Sequence, residues 1–169
     1  MFQNKRPIIF INKGAIDSIL DYTSLVIILF IWGFTFINYN HLPDVIPTHF
    51  NSNGVEDDYG SKNTIWILPI ISTAVFILFT VLNKFPHQFN YMVKITADNA
   101  EKQYRLATRI MRILKFNISL LFFCIIIKVV GSSLDKNSSL EWWLIPLLLL
   151  TIITPTFYLV IVSGSKKMR

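Results

Sequence analysis

Long apolar runs separated by short charged segments make up most of the chain, a pattern typical of proteins that cross a membrane several times. Three runs without Asp, Glu, Lys or Arg predict spans at about 21–38, 64–83 and 142–163. Each supplies about 20 residues, the number that a helix needs to cross roughly 30 Å of hydrocarbon. Soluble helices rarely show such runs, so three of them in one short chain predict a membrane protein.

A fourth apolar stretch is shorter, and a lysine follows it. Residues 116–127 are apolar, and a spanning length of about 115–134 places Lys128 inside the helix. Extension of the ammonium to the membrane interface is the simpler interpretation. An intramembrane charge is also a candidate functional residue, and the acid we expect to pair with it is Asp57 or Asp58.

Charge is divided unevenly between the segments that join the spans. The segment 84–114 has six basic residues against two acids, whereas 39–63 has one lysine against four acids. Residues 1–20 and 166–169 are also basic. Because Lys and Arg favour the cytoplasmic side, we expect both termini and 84–114 in the cytoplasm and 39–63 outside. The predicted fold is a single all-α membrane domain over 1–169, with four transmembrane helices, N-in and C-in.

The outer loop 39–63 contains signals for local structure. Residues 46–50 and 55–59 are short extended runs, and Asn53-Gly54 between them is a tight-turn dipeptide. The loop is therefore expected to form a small structured cap on the outer ends of helices 1 and 2. Its candidate ligand-binding residues are Pro47, His49, Asn51, Gly54, Asp57, Asp58, Gly60 and Lys62.

The cytoplasmic segment is expected to be a basic helix that leads into the third span. Its bases recur at intervals of three and four residues, which predicts a single stripe. The stripe consists of Lys102, Arg105, Arg109 and Arg112. Anionic inner-leaflet lipids attract such residues by about 1 kcal/mol each. Enforcing the topology and binding an acidic cytoplasmic partner are the alternatives.

Composition narrows the functional classes. Of the residues, 53% are hydrophobic and 15% are charged, which excludes a disordered chain. The net charge of +6 would suit a nucleic-acid binder, but the chain has little polar material for such a surface, and we expect no direct nucleic-acid partner. Cys124 is the sole cysteine, which excludes an intrachain disulfide. No hydrolase or nucleotide-binding motif is present, so we expect a non-enzymatic protein without cofactor or metal.

The outer loop resembles a bacterial membrane family filed as domain of unknown function 1648. The resemblance is carried by Pro-Thr-His-Phe-Asn at 47–51, Gly54, Asp-Tyr-Gly-Ser-Lys at 58–62 and Leu-Pro at 68–69, and it extends over roughly 20–130. The same domain forms the N-terminal part of SdpI-type immunity proteins, which protect bacteria from a secreted toxin peptide and hold a repressor at the membrane. The resemblance therefore implies a multi-pass protein of the bacterial cytoplasmic (inner) membrane.

Three functional hypotheses follow. The leading one is an immunity or sensor protein whose outer loop recognises a toxin or antimicrobial peptide, with lipid or a regulator on the cytoplasmic side. The second is a small transporter or complex subunit that uses Lys128 and Pro155. The third is a metal-dependent membrane enzyme that uses the histidines and acids of the outer loop, although hydrogen bonds to the loop backbone are the simpler role for those side chains. The residues concerned are His41, Asp44, His49, Glu56, Asp57 and Asp58.

Overall fold

The structure, a computed structural model, describes residues 6–51, 53–134 and 144–164. Within these residues the chain forms four α-helices and one β-hairpin. The elements are α1 (Ala15–Tyr39), β1 (Val45–Phe50), β2 (Glu56–Ser61), α2 (Ile67–Leu82), α3 (Ala97–Leu134) and α4 (Leu144–Gly164), with 3-10 turns at Lys62–Trp66 and Pro86–Gln88. The protein is mainly helical, and a two-stranded antiparallel sheet between α1 and α2 departs from the predicted all-α class.

Three helical segments are long and apolar enough to cross a membrane: Ala15–Tyr39, Lys62–Leu82 and Ala97–Leu134. Mean hydropathy in their most apolar windows is 1.9, 2.5 and 2.3. Large apolar side chains face outward along them; Phe36 and Ile70, for example, are 75% and 54% exposed. Residues of this kind form the interior of a soluble protein, so the outward-facing apolar surface supports a membrane protein.

The helix α4 covers most of the predicted fourth span. It is 21 residues long, but the apolar stretch described within it, Leu149–Leu159, is shorter than the roughly 20 residues that a crossing needs. Residues 142 and 143 of the predicted span lie outside the described residues. The fourth crossing and the N-in, C-in orientation therefore stay predictions.

The hairpin packs on the end of the bundle where α1 ends and α2 begins, which we call the hairpin end. Ile46 of β1 is only 1% exposed there. The same apolar core contains Ile28, Ile31, Leu42, Ile65, Ile126, Val129 and Val130. Burying a side chain of this size contributes about 1.5–3 kcal/mol, so the hairpin is anchored to α1 and α3.

The opposite end of the bundle, which we call the ionic end, contains the first turns of α1 and residues 109–115 of α3. Helix α1 begins before position 21, where the span was predicted to start, and Asp17 accepts a 2.9 Å hydrogen bond from the backbone N–H of Gly14 at its N-cap. The preceding residues lie against α3, where the Tyr104 hydroxyl donates to the Pro7 carbonyl at 3.1 Å. Two acids thus fall within the first turns of α1, Asp17 and Asp21.

Candidate functional site

The hairpin turn is held by one asparagine side chain. Asn51 Oδ1 accepts hydrogen bonds from the backbone N–H groups of Asn53 and Val55, at 2.9 and 3.1 Å. Gly54 in this turn has a φ of 73°, which glycine adopts without steric cost. These contacts confirm the predicted hairpin, and they show that Asn51 and Gly54 shape it.

Pro47 and Gly60 belong to the packed side of the hairpin. Pro47 is buried beside Ile46. Gly60 lies opposite Ile46 in the antiparallel register, and a Cβ atom at position 60 would lie 2.9 Å from Cγ2 of Thr48. Both predicted ligand-binding residues therefore have a packing role in the hairpin.

The exposed side of the hairpin carries an imidazole, a phenol and three carboxylates. His49 Nδ1 hydrogen-bonds Asp57 Oδ1, and their side chains are 65% and 42% exposed. The Tyr59 hydroxyl donates to Glu56 Oε2 at 2.8 Å, and this bond to a carboxylate raises the pKa of Tyr59. Asp58 accepts a 3.4 Å hydrogen bond from a threonine hydroxyl on β1. Glu56, Asp57 and Asp58 are consecutive on β2, and the last two are exposed, so the hairpin presents carboxylates that a ligand can reach.

Lys62 lies at the base of the hairpin, where it connects to the end of α1. Its ammonium is 3.0 Å from Asp44 Oδ1 and 5.7 Å from the centre of the Tyr39 ring. The Tyr39 hydroxyl in turn donates to Asn63 Oδ1. Lys62 therefore fixes the hairpin relative to α1.

Histidines and acids of this segment do not converge as metal ligands would. His41 Nδ1 lies 3.2 Å from the Ile37 carbonyl oxygen, and His49 bonds Asp57. Within residues 6–51, 53–134 and 144–164, no three His, Cys, Asp or Glu side chains come close enough to hold a metal ion. Protein zinc sites use three or four such ligands, so the metal-enzyme hypothesis finds no ligand set in this part of the chain.

Lys128 of α3 contacts the hairpin through an aromatic ring. Its side chain is buried, and Nζ lies 5.4 Å from the centre of the Phe50 ring. Asp57 and Asp58, the expected partners, bond His49 and a threonine hydroxyl. A cation over an aromatic face is stabilising, increasingly so when water is excluded. Lys128 thus links α3 to β1.

At the ionic end, two carboxylates of α1 meet three bases of α3. Asp17 accepts from Arg109 Nε at 2.9 Å and from Arg109 Nη2 at 3.1 Å, a bidentate pair. Asp21 accepts from Lys115 Nζ at 2.7 Å. Arg112 lies between them, with Nη1 3.8 Å from Asp17 and Nε 3.3 Å from Asp21. With Lys13, whose Nζ is 2.7 Å from Asp21, these residues form what we call the ionic cluster.

The ionic cluster reaches every helix of the bundle that the structure describes. Lys115 lies 3.3 Å from Thr80 Oγ1 of α2 and 4.7 Å from the centre of the Phe76 ring. Arg109 Nη1 donates to the Tyr158 hydroxyl of α4 at 3.2 Å. Asp17 and Lys115 have side chains only 4% and 1% exposed. Buried charges of this kind are held by their partners, so each member of the cluster depends on the others.

A comparison with known protein families matches the part of the chain that contains the hairpin. Residues 26–73 match a family model. That model describes the family "Domain of unknown function (DUF1648)", to which this part of the chain is similar. The matched region, here called the DUF1648 segment, covers most of α1, the hairpin and the first turns of α2, and it confirms the family resemblance predicted from the sequence. The ionic cluster's bases on α3 lie outside it.

One curated relative is similar to part of the chain. An "Uncharacterized protein" of Archaeoglobus fulgidus is 32% identical over 75 residues, which cover 40% of this chain and 41% of that protein. The chain thus covers less than half of that relative's length. No solved structure matches the chain significantly.

The four bases of the predicted stripe have different environments in the structure. Arg109 and Arg112 turn into the bundle and bind acids of α1. Arg105 pairs with Glu101 at 2.7 Å and donates to the Asn12 carbonyl at 3.2 Å. Lys102 is exposed. Two of the four bases thus bind acids of α1, and attraction of anionic lipid stays a prediction, with Lys102 and Arg105 as the bases of the stripe outside the ionic cluster.

Asp17 and Asp21 were not identified as site residues from the sequence. Two features of the sequence indicate them. The two acids lie four residues apart at the start of an apolar helix, and bases recur at intervals of three and four residues before another apolar helix. Acids this close to a membrane span are rare unless they are paired. Both helices begin at the same end of the bundle, which brings the two sets together.

Proposed function

We propose that this chain is a non-enzymatic, multi-pass protein of the bacterial cytoplasmic membrane, in which the hairpin recognises an extracytoplasmic peptide in an immunity or sensor role. The observation that carries the proposal is the hairpin itself, which is anchored by Ile46 in the core and presents an acidic, exposed face. A passive connector needs neither feature.

The orientation follows from the charge of the two ends. The segment 84–112, near the ionic end, has a net charge of +4, whereas 38–63, which contains the hairpin, has a net charge of −3. The positive-inside rule therefore places the ionic end in the cytoplasm and the hairpin outside. Helix α4 would make the fourth crossing, and the bond between Tyr158 and Arg109 supports its C-terminal half lying at the ionic end.

A cationic peptide in extended form suits the hairpin best. The two-stranded sheet has edges with unpaired backbone groups, which an extended peptide can join as a further strand. Glu56, Asp57 and Asp58 on the exposed side favour positive side chains in that peptide. The DUF1648 segment includes all three acids, which agrees with a role in this family of domains.

Helix α3 would carry the effect of binding across the membrane. It runs 38 residues without a break, about 57 Å, from the ionic end to the hairpin end. Lys128 meets the hairpin at Phe50, and Arg109 and Arg112 meet α1 in the ionic cluster. A shift of the hairpin on its core would therefore act on α3, whose exposed Lys102 would face a regulator or lipid in the cytoplasm.

Survival of bacteria that express the protein tests recognition. The cells would be challenged with a panel of cationic membrane-active peptides, and the growth-inhibiting concentration would be compared with that of cells carrying an empty vector. We expect protection against at least one peptide, and loss of that protection in the double variant D57N/D58N. The matched control is Glu101→Gln, which removes an exposed acid outside the hairpin. Equal inhibition of all strains by every peptide counts against the immunity role.

Cysteine labelling tests the topology in a Cys124→Ala background. Asn53→Cys should react with a membrane-impermeant maleimide in intact cells, whereas Lys94→Cys should react only after lysis. Met168→Cys should also need lysis if α4 crosses the membrane. Labelling of Lys94→Cys in intact cells would overturn the orientation. Labelling of both Asn53→Cys and Met168→Cys in intact cells, without Lys94→Cys, would reduce the protein to three crossings.

A small transporter or complex subunit is the second candidate, and polar side chains inside α3 favour it. Asn117 is buried, and its Nδ2 donates to Thr154 Oγ1 of α4 at 2.6 Å, next to Pro155. Lys128 is buried on the same helix. Transport of protons can be followed in vesicles with a pH-sensitive dye. Proton flux into the vesicles should be lost in Lys128→Met. An absence of flux with the unaltered protein argues against proton transport.

A further inference from the structure

A groove of about 580 Å³ lies beside the first half of α3, and neither the hairpin nor the ionic cluster uses it. Its walls are the segment 89–93, three turns of α3 and Leu159 of α4. The volume falls within the roughly 300–1,000 Å³ typical of small-molecule sites. The groove therefore has room for a ligand.

The α3 wall of the groove changes from polar to apolar along the helix. Lys102 and Gln103 line it nearest the N-terminus of α3, and Ile110 and Met111 line it about 12 Å further along the axis. Leu159 of α4 adds another apolar side chain. The polar end of the groove therefore suits a lipid headgroup, and its apolar end suits an acyl chain.

The groove and the ionic cluster use different faces of α3. Leu106, Ala107 and Ile110 line the groove, whereas Tyr104, Thr108 and Arg112 are buried in the bundle. This separation allows the groove to be altered without touching an ion pair of the cluster.

Charge near the groove favours an anion. Lys102 is exposed, and the guanidinium of Arg6 lies 5.5 Å from the centre of the Tyr91 ring, which is part of the wall. Asp and Glu are missing from the described residues that line the groove. The phenol of Tyr91 adds no negative charge to the wall, and burial raises its pKa further above physiological pH, to about 12.

We propose that this groove binds one anionic phospholipid, with an acyl chain along Ile110, Met111 and Leu159 and the phosphate at Lys102. The position agrees with a lipid, because the groove lies on α3 just before its apolar second half, and its apolar end at Ile110 and Met111 is about one turn before the predicted span 115–134. A water-soluble ligand would leave that apolar end unused. The proposal depends on α3 crossing the membrane and not on peptide recognition by the hairpin.

Native mass spectrometry of the full-length protein in detergent tests this proposal. The delipidated protein would be titrated with phosphatidylglycerol and, separately, with phosphatidylcholine. We expect one lipid to bind with a preference for phosphatidylglycerol. Lys102→Gln should weaken phosphatidylglycerol binding about fivefold, as expected for one basic contact to an anionic lipid. Lys84→Gln is the matched control, because it removes a base of the same segment that does not line the groove, and its affinity should be unchanged.

Filling the groove provides a second, independent variant. Ala107→Trp places a large ring in it and should abolish binding of the single lipid, while circular dichroism shows whether the helices are retained. If that variant does not fold, Leu106→Asn makes the wall polar and should reduce retention of either lipid. Glycerol 3-phosphate should not compete, since it lacks the acyl chain.

Three results would overturn the proposal. Equal loss of affinity in Lys102→Gln and Lys84→Gln would show diffuse electrostatic attraction instead of a site. Unchanged lipid retention in a folded Ala107→Trp variant would place the lipid elsewhere. Effective competition by glycerol 3-phosphate would indicate a phosphate site with no role for the groove's apolar end. None of these results depends on the hairpin, so peptide protection can fail or succeed separately.

Discussion

The two ends of the bundle are held together by opposite means. At the hairpin end, apolar side chains such as Ile46 and Ile65 are buried and the charges of Asp57 and Asp58 remain outside, with Lys128 as a buried charge over the Phe50 ring. At the ionic end the charges themselves are buried, and Asp17 is 4% exposed. An apolar core tolerates changes of surface charge, whereas a buried charge needs every partner that it has. The hairpin end is therefore free to vary its charged surface, and the ionic end is not.

The ends also differ in how far apart along the chain their contacts lie. Hairpin contacts such as His49–Asp57 join residues separated by 8 positions. The ionic pairs Asp17–Arg109 and Asp21–Lys115 join residues separated by 92 and 94 positions. Local contacts can form within the DUF1648 segment alone, but the ionic pairs require α1 and α3 to be assembled.

The largest predicted effect comes from breaking the ionic end. Asp17→Asn leaves Arg109 without its bidentate partner and should lower the free energy of unfolding by about 3 kcal/mol. Thermal unfolding in detergent measures this. Asp44→Asn, an acid that is 94% exposed and paired with Lys62, is the control and should cost well under about 1 kcal/mol. Equal losses in the two variants would remove the contrast between the ends.

Truncating the hairpin core should have the next largest effect. Ile46→Ala removes apolar volume from a closed site and should cost about 2–3 kcal/mol. Sites this far apart have additive effects unless something couples them, so the double variant with Asp17→Asn tests the coupling through α3 proposed above. Strong non-additivity in the double variant would show that the ends are energetically coupled. The exposed Val45→Ala on the same strand serves as control.

The hairpin turn should respond more weakly. Gly54→Ala places a Cβ atom at a φ of 73° and should cost about 1 kcal/mol. Gly54→Asn should cost less, since asparagine adopts this conformation more readily. The measurement is proteolysis of the hairpin in the folded protein, and equal cleavage of both variants would contradict a conformational origin.

The smallest effect is expected at an exposed pair on α3. Glu101→Gln removes the partner of Arg105 and should change the free energy of unfolding by about 0.3–0.5 kcal/mol. High salt should reduce the difference, because an exposed pair is screened. A loss as large as that in Asp17→Asn would show that exposed ion pairs stabilise α3 as much as the buried ones do.

Hydropathy and turn chemistry were sufficient to predict the apolar helices and the hairpin. The Asn53-Gly54 turn depends on neighbouring residues, so it is visible in the sequence. Helix α1 begins at Ala15, before the predicted span at about 21–38, because the helix extends past Asp21 into the charged segment that precedes the apolar run. Helical spacing grouped Arg109 and Arg112 correctly on one side of α3. It could not show that α1 covers that side, since this is a contact between distant parts of the chain.

Because α3 is one unbroken helix, a tilt around a contact near one end displaces the residues towards its other end. Arg109 lies about 28 Å along the helix axis from Lys128, where α3 touches the hairpin. A rigid tilt of about 5° around that contact would carry Arg109 sideways by about 2.5 Å, because displacement grows with distance from the pivot. Its 2.9 Å bond to Asp17 would not survive such a displacement in most directions. A small angular change at the hairpin end of the bundle would thus become the opening of an ion pair at the ionic end.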